Sequence, residues 1–286
     1  MAVIQATTCG DHAVNPLWPR LHLRHTLEPA LAALPVGAPI VIYVHGHLDW
    51  PHPKVLQQAR EQVGLAITLN WPATARFIGV FPDVGQLYDD AGKAAPSLAW
   101  LINLLAELSP DRQIDLMAHS LGARVGLQAL PRLKQGNLAR FVGLAAVEFS
   151  AITLAALQAP VARDIAFYNV TTAKTALFHR LMHHFGPRPG PADGLLCRGF
   201  AFPRRNWIDI RLDAPAVRHP LGEMCSSLLD LKADMKKPAL ISQLEAVFLQ
   251  NRMATSMAEL RSVLGNAVPD PLSIIPLRSP PLRQMR

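Results

Sequence analysis

Apolar residues along the chain fall into two alternating patterns. Short unbroken runs rich in β-branched residues, such as Ile40–Val44, are typical of strands that are buried on both faces of a sheet. Longer segments between these runs carry apolar residues at helical spacing. Strands are predicted at 40–44, 65–69, 113–117, 141–147, 165–170 and 207–212, and helices at 23–34, 53–63, 87–108, 125–133, 225–233 and 239–264.

This alternation predicts an α/β fold, in which a doubly wound, mostly parallel sheet carries helices on both faces. The chain has 286 residues, half of them apolar, which suits a single domain over residues 1–265. Residues 266–286 are rich in proline and arginine and are predicted to form a flexible C-terminal extension. Pro96 is expected to break or restart the helix at 87–108.

The formal net charge is +7, but the lysines and arginines are scattered rather than gathered into a stripe with aromatic residues. Nucleic-acid binding is therefore not expected. No segment is apolar for long enough to span a bilayer, and the N-terminus lacks the pattern of a signal peptide. The three cysteines, Cys9, Cys197 and Cys225, are widely spaced, which fits a reducing compartment, so a cytoplasmic location is expected.

The strongest chemical signal lies where the predicted strand at 113–117 meets the next helix. The segment reads Ala118-His119-Ser120-Leu121-Gly122, with a serine at the tip of the turn and small residues two positions before and after it. It differs from the pattern G-x-S-x-G only by an alanine at the first position. The arrangement predicts that Ser120 is a nucleophile, whereas the simpler alternative is a serine that caps a helix.

A second motif, Val44-His45-Gly46-His47, follows the first predicted strand. Together, the runs V-H-G-H-x-D-W, N-W-P and A-H-S-L-G-A-R-V resemble a bacterial branch of the α/β-hydrolases, related to esterases and lipases, whose function is unknown. The resemblance covers residues 40–212. It implies a serine, histidine and acid triad that acts without a metal or an organic cofactor.

The resemblance also implies an oxyanion hole, which binds the negatively charged oxygen formed during attack on a carbonyl. Its two N–H donors would be the backbone amides of Leu121 and His47. Gly46 would let the backbone approach the substrate closely, and Trp50 and His119 are expected to contact the substrate. An ordinary glycine turn beside incidental histidines is the alternative interpretation.

The triad histidine is expected after the last strand, since the chain order in this fold is serine, acid, histidine. His219 lies in such a loop and is predicted to be the general base, the alternative being a surface histidine. His179, His183 and His184 compete for the role, but they fall in a helical pattern. A metal site on these residues is not expected, because no third ligand or HExxH pattern accompanies them.

The triad acid is the least determined part of the site. The loop after the strand at 165–170 has no carboxylate where similar proteins carry an aspartate. Glu148, directly after the strand at 141–147, is the predicted acid, and Asp193 is the second candidate. A glutamate that is solvated or paired with an arginine is the alternative for Glu148. Asp209 and Asp213 fit less well, because one lies inside a strand and the other in a turn.

These features predict a serine hydrolase that cleaves a small-molecule carboxylic ester, or a thioester or amide, through an acyl-enzyme. Two other functions are compatible with the same residues. A non-catalytic relative with a degenerate triad would serve as a binding module, and the missing acid favours it. An acyltransferase of the same fold would pass the acyl group to an alcohol instead of water.

Overall fold

The computed structural model describes residues 2–7, 17–46, 65–73, 77–78, 81–134, 138–171, 182, 190, 193–202 and 204–211. The helices predicted at 53–63, 225–233 and 239–264, and the extension at 266–286, lie outside these residues. Among the residues that the structure describes, no helix is both long and apolar enough to cross a membrane.

The described strands form a parallel sheet that confirms the predicted fold class. Seven strands lie in the order β1-β3-β2-β6-β7-β8-β9, and every neighbouring pair is parallel. Two further strands, β4 and β5, form a short antiparallel pair. The strands are β1 (Ala2–Thr7), β2 (Ile40–Val44), β3 (Leu65–Asn70), β4 (Phe77–Ile78), β5 (Phe81–Pro82), β6 (Ile114–His119), β7 (Leu138–Leu144), β8 (Ala166–Thr171) and β9 (Trp207–Arg211).

Burial explains why the apolar runs became strands. Every residue of β2 and of β3 is buried, so both faces of the sheet are covered there. Strand β1 was not predicted from the sequence. It pairs with β3 along its whole length, from Ala2 opposite Leu65 to Thr7 opposite Asn70.

Four α-helices accompany the sheet within the described residues, and the longest departs from the prediction. The helices are α1 (Leu17–Ala32), α2 (Val84–Leu108), α3 (Gly122–Ala129) and α4 (Ser150–Ala156). The expected break at Pro96 is wrong, since α2 runs through it. Proline removes one backbone hydrogen bond. The neighbouring residues Ala94, Ala95, Leu98 and Ala99 are buried, and this packing outweighs the loss.

Strand β7 ends three residues earlier than predicted, at Leu144. The next residue, Ala145, has φ +48°, a left-handed conformation that turns the chain out of the strand direction. Glu148 therefore does not follow directly on a strand end. It lies in an irregular segment between β7 and α4.

The strand order places a crevice between β2 and β6. The chain leaves β2 toward β3 on one side and leaves β6 toward β7 on the other. Connections that depart in opposite directions open a crevice at the carboxyl ends of the two strands, where ligands bind in open parallel sheets. The segment after β2 carries Gly46, and the segment after β6 carries Ser120.

Candidate functional site

Ser120 occupies a sharp, strained turn directly after β6. Its φ angle is +52°, which is rare for a residue with a side chain. The N–H of Ser120 donates to the carbonyl oxygen of Leu144 at 2.9 Å, and the N–H of Val147 donates to the carbonyl oxygen of Ser120 at 3.0 Å. The two peptide groups of the serine are thus held by the last residue of β7 and by the segment that follows this strand.

The residues around the serine are small because backbones pass very close together. A Cβ on Gly122 would lie 2.3 Å from the carbonyl oxygen of Val44, and a Cβ on Gly46 would lie 2.8 Å from the Cβ of Ser120. Ala118 is fully buried in β6. The turn therefore has the geometry that the sequence motif predicts, with the β2 backbone packed against the start of α3.

The beginning of α3 lies beside the serine. Leu121 is buried and precedes the first helical residue, and its N–H has no hydrogen-bond partner among the described residues. The first N–H groups of a helix lack partners within that helix and favour negative charge. This amide is therefore available to a carbonyl oxygen bound in front of Ser120.

Three sequence-predicted site residues lie outside the described part of the chain. They are His47, Trp50 and His219. Of the others, His119, Ser120 and Gly46 come together. A Cβ on Gly46 would lie 3.1 Å from the Nδ1 atom of His119, a residue that is partly exposed.

His45 fixes the backbone beside the serine, a role that the sequence interpretation missed. The backbone N–H of Trp71 donates to His45 Nε2 at 3.3 Å, so Nδ1 carries the proton of a neutral ring and donates to the carbonyl oxygen of Gly46 at 2.9 Å. The indole N–H of Trp71 also donates to the carbonyl oxygen of His45 at 2.8 Å, and the two rings stack. The available signal was the histidine directly before Gly46.

Glu148 is completely buried and is bound by three donors. Its Oε2 accepts from the Arg124 guanidinium at 2.7 Å, and its Oε1 accepts from the hydroxyl of Tyr88 and from the N–H of Phe149 at 2.8 Å. Arg124 also donates to the carbonyl oxygen of Tyr88 at 2.7 Å and lies over the Tyr88 ring. These contacts match the alternative stated above, a glutamate paired with an arginine.

Burial is the largest influence on the pKa of Glu148 and on that of Tyr88. It raises the pKa of the Glu148 carboxyl, and the positive charge of Arg124 and the donated hydrogen bonds oppose the effect. Burial, followed by the charge of Glu148, also raises the pKa of the Tyr88 hydroxyl far above its ordinary value. Tyr88 therefore stays protonated and continues to donate to Glu148.

Of the other carboxylates considered from the sequence, Asp213 lies outside the described residues, whereas Asp193 and Asp209 have structural contacts. Asp193 accepts from the N–H of Ala151, in the first turn of α4, at 3.1 Å. Asp209 lies within β9 and accepts from the amide of Asn169 at 2.6 Å and from the N–H of Phe200 at 3.0 Å. Burial raises the pKa of the Asp209 carboxyl. In the described ranges, no three histidine, cysteine or acidic side chains are grouped so that they could hold a metal ion.

The left-handed turn after β7 leads to a prediction about stability. Replacing Ala145 by glycine is expected to raise the free energy of unfolding by about 1 kcal/mol, because glycine adopts positive φ without steric cost. Chemical denaturation of the two proteins measures the difference. Ala146→Gly is the control: Ala146 is fully buried and does not have a positive φ, so this change should destabilise. Equal destabilisation by both changes would contradict the expectation.

Comparison with known proteins adds a family match. Residues 36–174 match the model of a family described as alpha/beta hydrolase of unknown function (DUF900). No curated protein matches the chain in sequence.

Solved structures also resemble the chain, although weakly. An uncharacterized protein from Bacillus cereus ATCC 10987 is 16% identical, with 61% of each chain covered and a TM-score of 0.35. The phospholipase PlaB from Legionella pneumophila, in complex with thio-NAD, is 15% identical. That match covers 49% of this chain and 39% of the phospholipase, with a TM-score of 0.31. The chain thus spans less than two thirds of either structure.

Proposed function

Because the chain belongs to the α/β-hydrolase superfamily, we propose that it is a serine hydrolase that cleaves a small-molecule carboxylic ester through an acyl-enzyme on Ser120. One observation carries the proposal. Ser120 stands at the carboxyl end of β6 with φ +52°, and the backbone of Gly46 packs against its Cβ. A strained serine between the carboxyl end of a central strand and the N-terminus of a helix is the arrangement that exposes a nucleophile in this fold.

In the proposed mechanism, His219 removes the proton from Ser120 as the serine oxygen attacks the ester carbonyl. The N–H groups of Leu121 and His47 bind the oxyanion that forms. His219 then returns the proton to the departing alcohol, which leaves an acyl group on Ser120. A water molecule, activated by the same histidine, releases the acid. Thioesters and amides would react by the same steps.

We assign the acid of the triad to neither Glu148 nor Asp193. The oxygens of Glu148 accept from Arg124, Tyr88 and the backbone, and Asp193 accepts from the start of α4. A hydrolase whose triad lacks its acid keeps part of its rate, because the oxyanion hole and substrate binding remain. The assignment of the acid therefore does not decide whether the protein is a hydrolase.

Labelling with a fluorophosphonate probe tests the proposal, because the probe reacts far faster with an activated serine than with an ordinary hydroxyl group. We expect folded wild-type protein to be labelled, peptide mapping to place the adduct on Ser120, and heat-denatured protein to remain unlabelled. His219→Ala should slow the labelling by about 10²- to 10⁴-fold, since the general base is lost. If folded wild-type protein is not labelled, the proposal is wrong and the chain is a non-catalytic relative. An unchanged rate in His219→Ala would remove that histidine from the mechanism.

The acyl-enzyme could also pass its acyl group to an alcohol. Product analysis of an ester reaction with an added alcohol separates the two activities. Free acid as the main product would support the hydrolase. A new ester as the main product would show that the protein is an acyltransferase instead.

A further inference from the structure

The turn that holds Ser120 depends on a second segment of chain, residues 144–148. The carbonyl oxygen of Leu144 accepts from the N–H of Ser120, and the N–H of Val147 donates to the carbonyl oxygen of Ser120. This segment is itself irregular, with Ala145 at φ +48°. Left-handed residues with side chains persist only where their surroundings restrain them. The position of Ser120 therefore depends on what holds residues 144–148 in place.

Glu148, the last residue of that segment, is tied to the helix that begins after the serine. Its partner Arg124 lies on α3, four residues or about one helical turn after Ser120. The Arg124–Glu148 ion pair therefore joins α3 to the segment 144–148. It adds to the backbone hydrogen bonds between that segment and Ser120.

Helix α2 completes the support from a third direction. Tyr88 donates its hydroxyl to Glu148 and accepts from Arg124 through its carbonyl oxygen, while the guanidinium lies 3.5 Å from the centre of the Tyr88 ring. The absence of a side chain at Gly92 makes room for Arg124, because a Cβ there would lie 3.1 Å from the guanidinium. The charged groups of Arg124 and Glu148 are almost fully shielded from water. Removing only one of them is therefore expected to be strongly destabilising, because the other charge would be left buried without a partner.

We propose that Arg124 and Glu148 form a buried clamp that holds Ser120 in its left-handed turn. This inference rests on the proposed function of Ser120 as the nucleophile. Glu148 is a positioning residue in this account, and it is not the acid of the triad. An ion pair with fixed partners suits this role, since its charge-assisted hydrogen bonds are short and directional.

The test compares Glu148→Met with the double variant Arg124→Met/Glu148→Met, using the rate of fluorophosphonate labelling per folded molecule. Glu148→Met leaves a buried, unpaired Arg124 and should slow labelling by about 10²-fold, the effect of a small misplacement. The double variant replaces both charges by apolar groups and should return to within about tenfold of the wild-type rate. The pH at which labelling reaches half its maximum should not change, because a positioning residue takes no part in the proton transfer.

The Asp115–Arg140 pair provides a matched control. It joins β6 and β7 and is buried to the same degree, with side-chain exposures of 3% and 12% against 0% and 12% for Glu148 and Arg124. It lies near the start of β6, at the other end of the strand from Ser120. Asp115→Leu should lower stability and leave the labelling rate per folded molecule unchanged.

Two results would overturn the clamp. An unchanged labelling rate in Glu148→Met, with only stability reduced, would make the ion pair purely structural. A double variant that stays as slow as Glu148→Met, with a shifted pH midpoint, would make Glu148 part of the proton-transfer chemistry. If Glu148→Met does not fold, Glu148→Gln provides the same comparison, since its amide keeps an acceptor for Tyr88.

Hydrogen exchange separates this inference from the proposed function. Glu148→Met should accelerate exchange of the amides of Ser120 and Val147, the double variant should restore it, and Asp115→Leu should not affect it. This pattern in a protein whose wild type is not labelled would refute the hydrolase and retain the clamp. Unchanged exchange at both amides would refute the clamp whatever the labelling shows.

Discussion

Replacing Ser120 by alanine is expected to lower the rate of ester hydrolysis by about 10⁵- to 10⁶-fold and to abolish fluorophosphonate labelling. The hydroxyl is the only group of the serine that the change removes, and the proposed reaction proceeds entirely through it. The backbone hydrogen bonds of Ser120 to Leu144 and Val147 do not involve the side chain, so the variant should fold like the wild type. Assays with short p-nitrophenyl esters, together with thermal melting, check both parts.

Ser150→Ala is the matched control for this substitution. Ser150 is buried, whereas Ser120 is partly exposed, and the Ser150 hydroxyl has no partner among the residues that the structure describes. Its loss should change neither hydrolysis nor labelling. Ester hydrolysis that survives in Ser120→Ala at the wild-type rate would show that the nucleophile lies elsewhere.

A third substitution separates the strain at this position from its chemistry. Ser120→Gly should be as inactive as Ser120→Ala and more stable by about 1 kcal/mol, because glycine tolerates φ +52°. Equal stability of the two inactive variants would mean that the turn stores no strain.

Replacing Gly122 by alanine is expected to reduce the free energy of unfolding by about 3 kcal/mol or more. The added Cβ would lie 2.3 Å from the carbonyl oxygen of Val44 and 2.8 Å from that of His45. Both obstacles are backbone atoms of β2 and of the residue after it, and they cannot move without disturbing the pairing of Val44 with Ala118. Denaturation in urea measures the loss.

The same clash should also slow labelling, because moving α3 away from β2 separates Gly46 from Ser120. Gly194→Ala is the control, since a Cβ there meets no atom within 4 Å. The control should match the wild type in stability and in labelling. If Gly122→Ala were as stable as Gly194→Ala, the close approach of α3 to β2 would not be a requirement of the turn.

Local patterns sufficed for most strands and for the turn at Ser120. The runs at β2, β3 and β6 are mostly apolar because a strand covered on both faces contacts only protein, so this composition is visible in the sequence itself. The small residues at positions 118 and 122 are likewise visible, since they sit within two residues of the serine that they accommodate. The limits of elements were less predictable, as the early end of β7 shows, because a single left-handed residue ended the strand.

The sequence by itself therefore determined the fold class and the position of a candidate nucleophile. Only the tertiary structure decided that α2 continues through Pro96, that His45 binds the Gly46 carbonyl, and that Glu148 pairs with Arg124. The physical reason is the range of the interactions. Periodicity and steric limits act between residues that are close along the chain. A buried carboxylate, in contrast, accepts hydrogen bonds from whichever donors lie near it in the folded protein. For Glu148 those donors come from Arg124 and Tyr88, which lie 24 and 60 residues away along the chain.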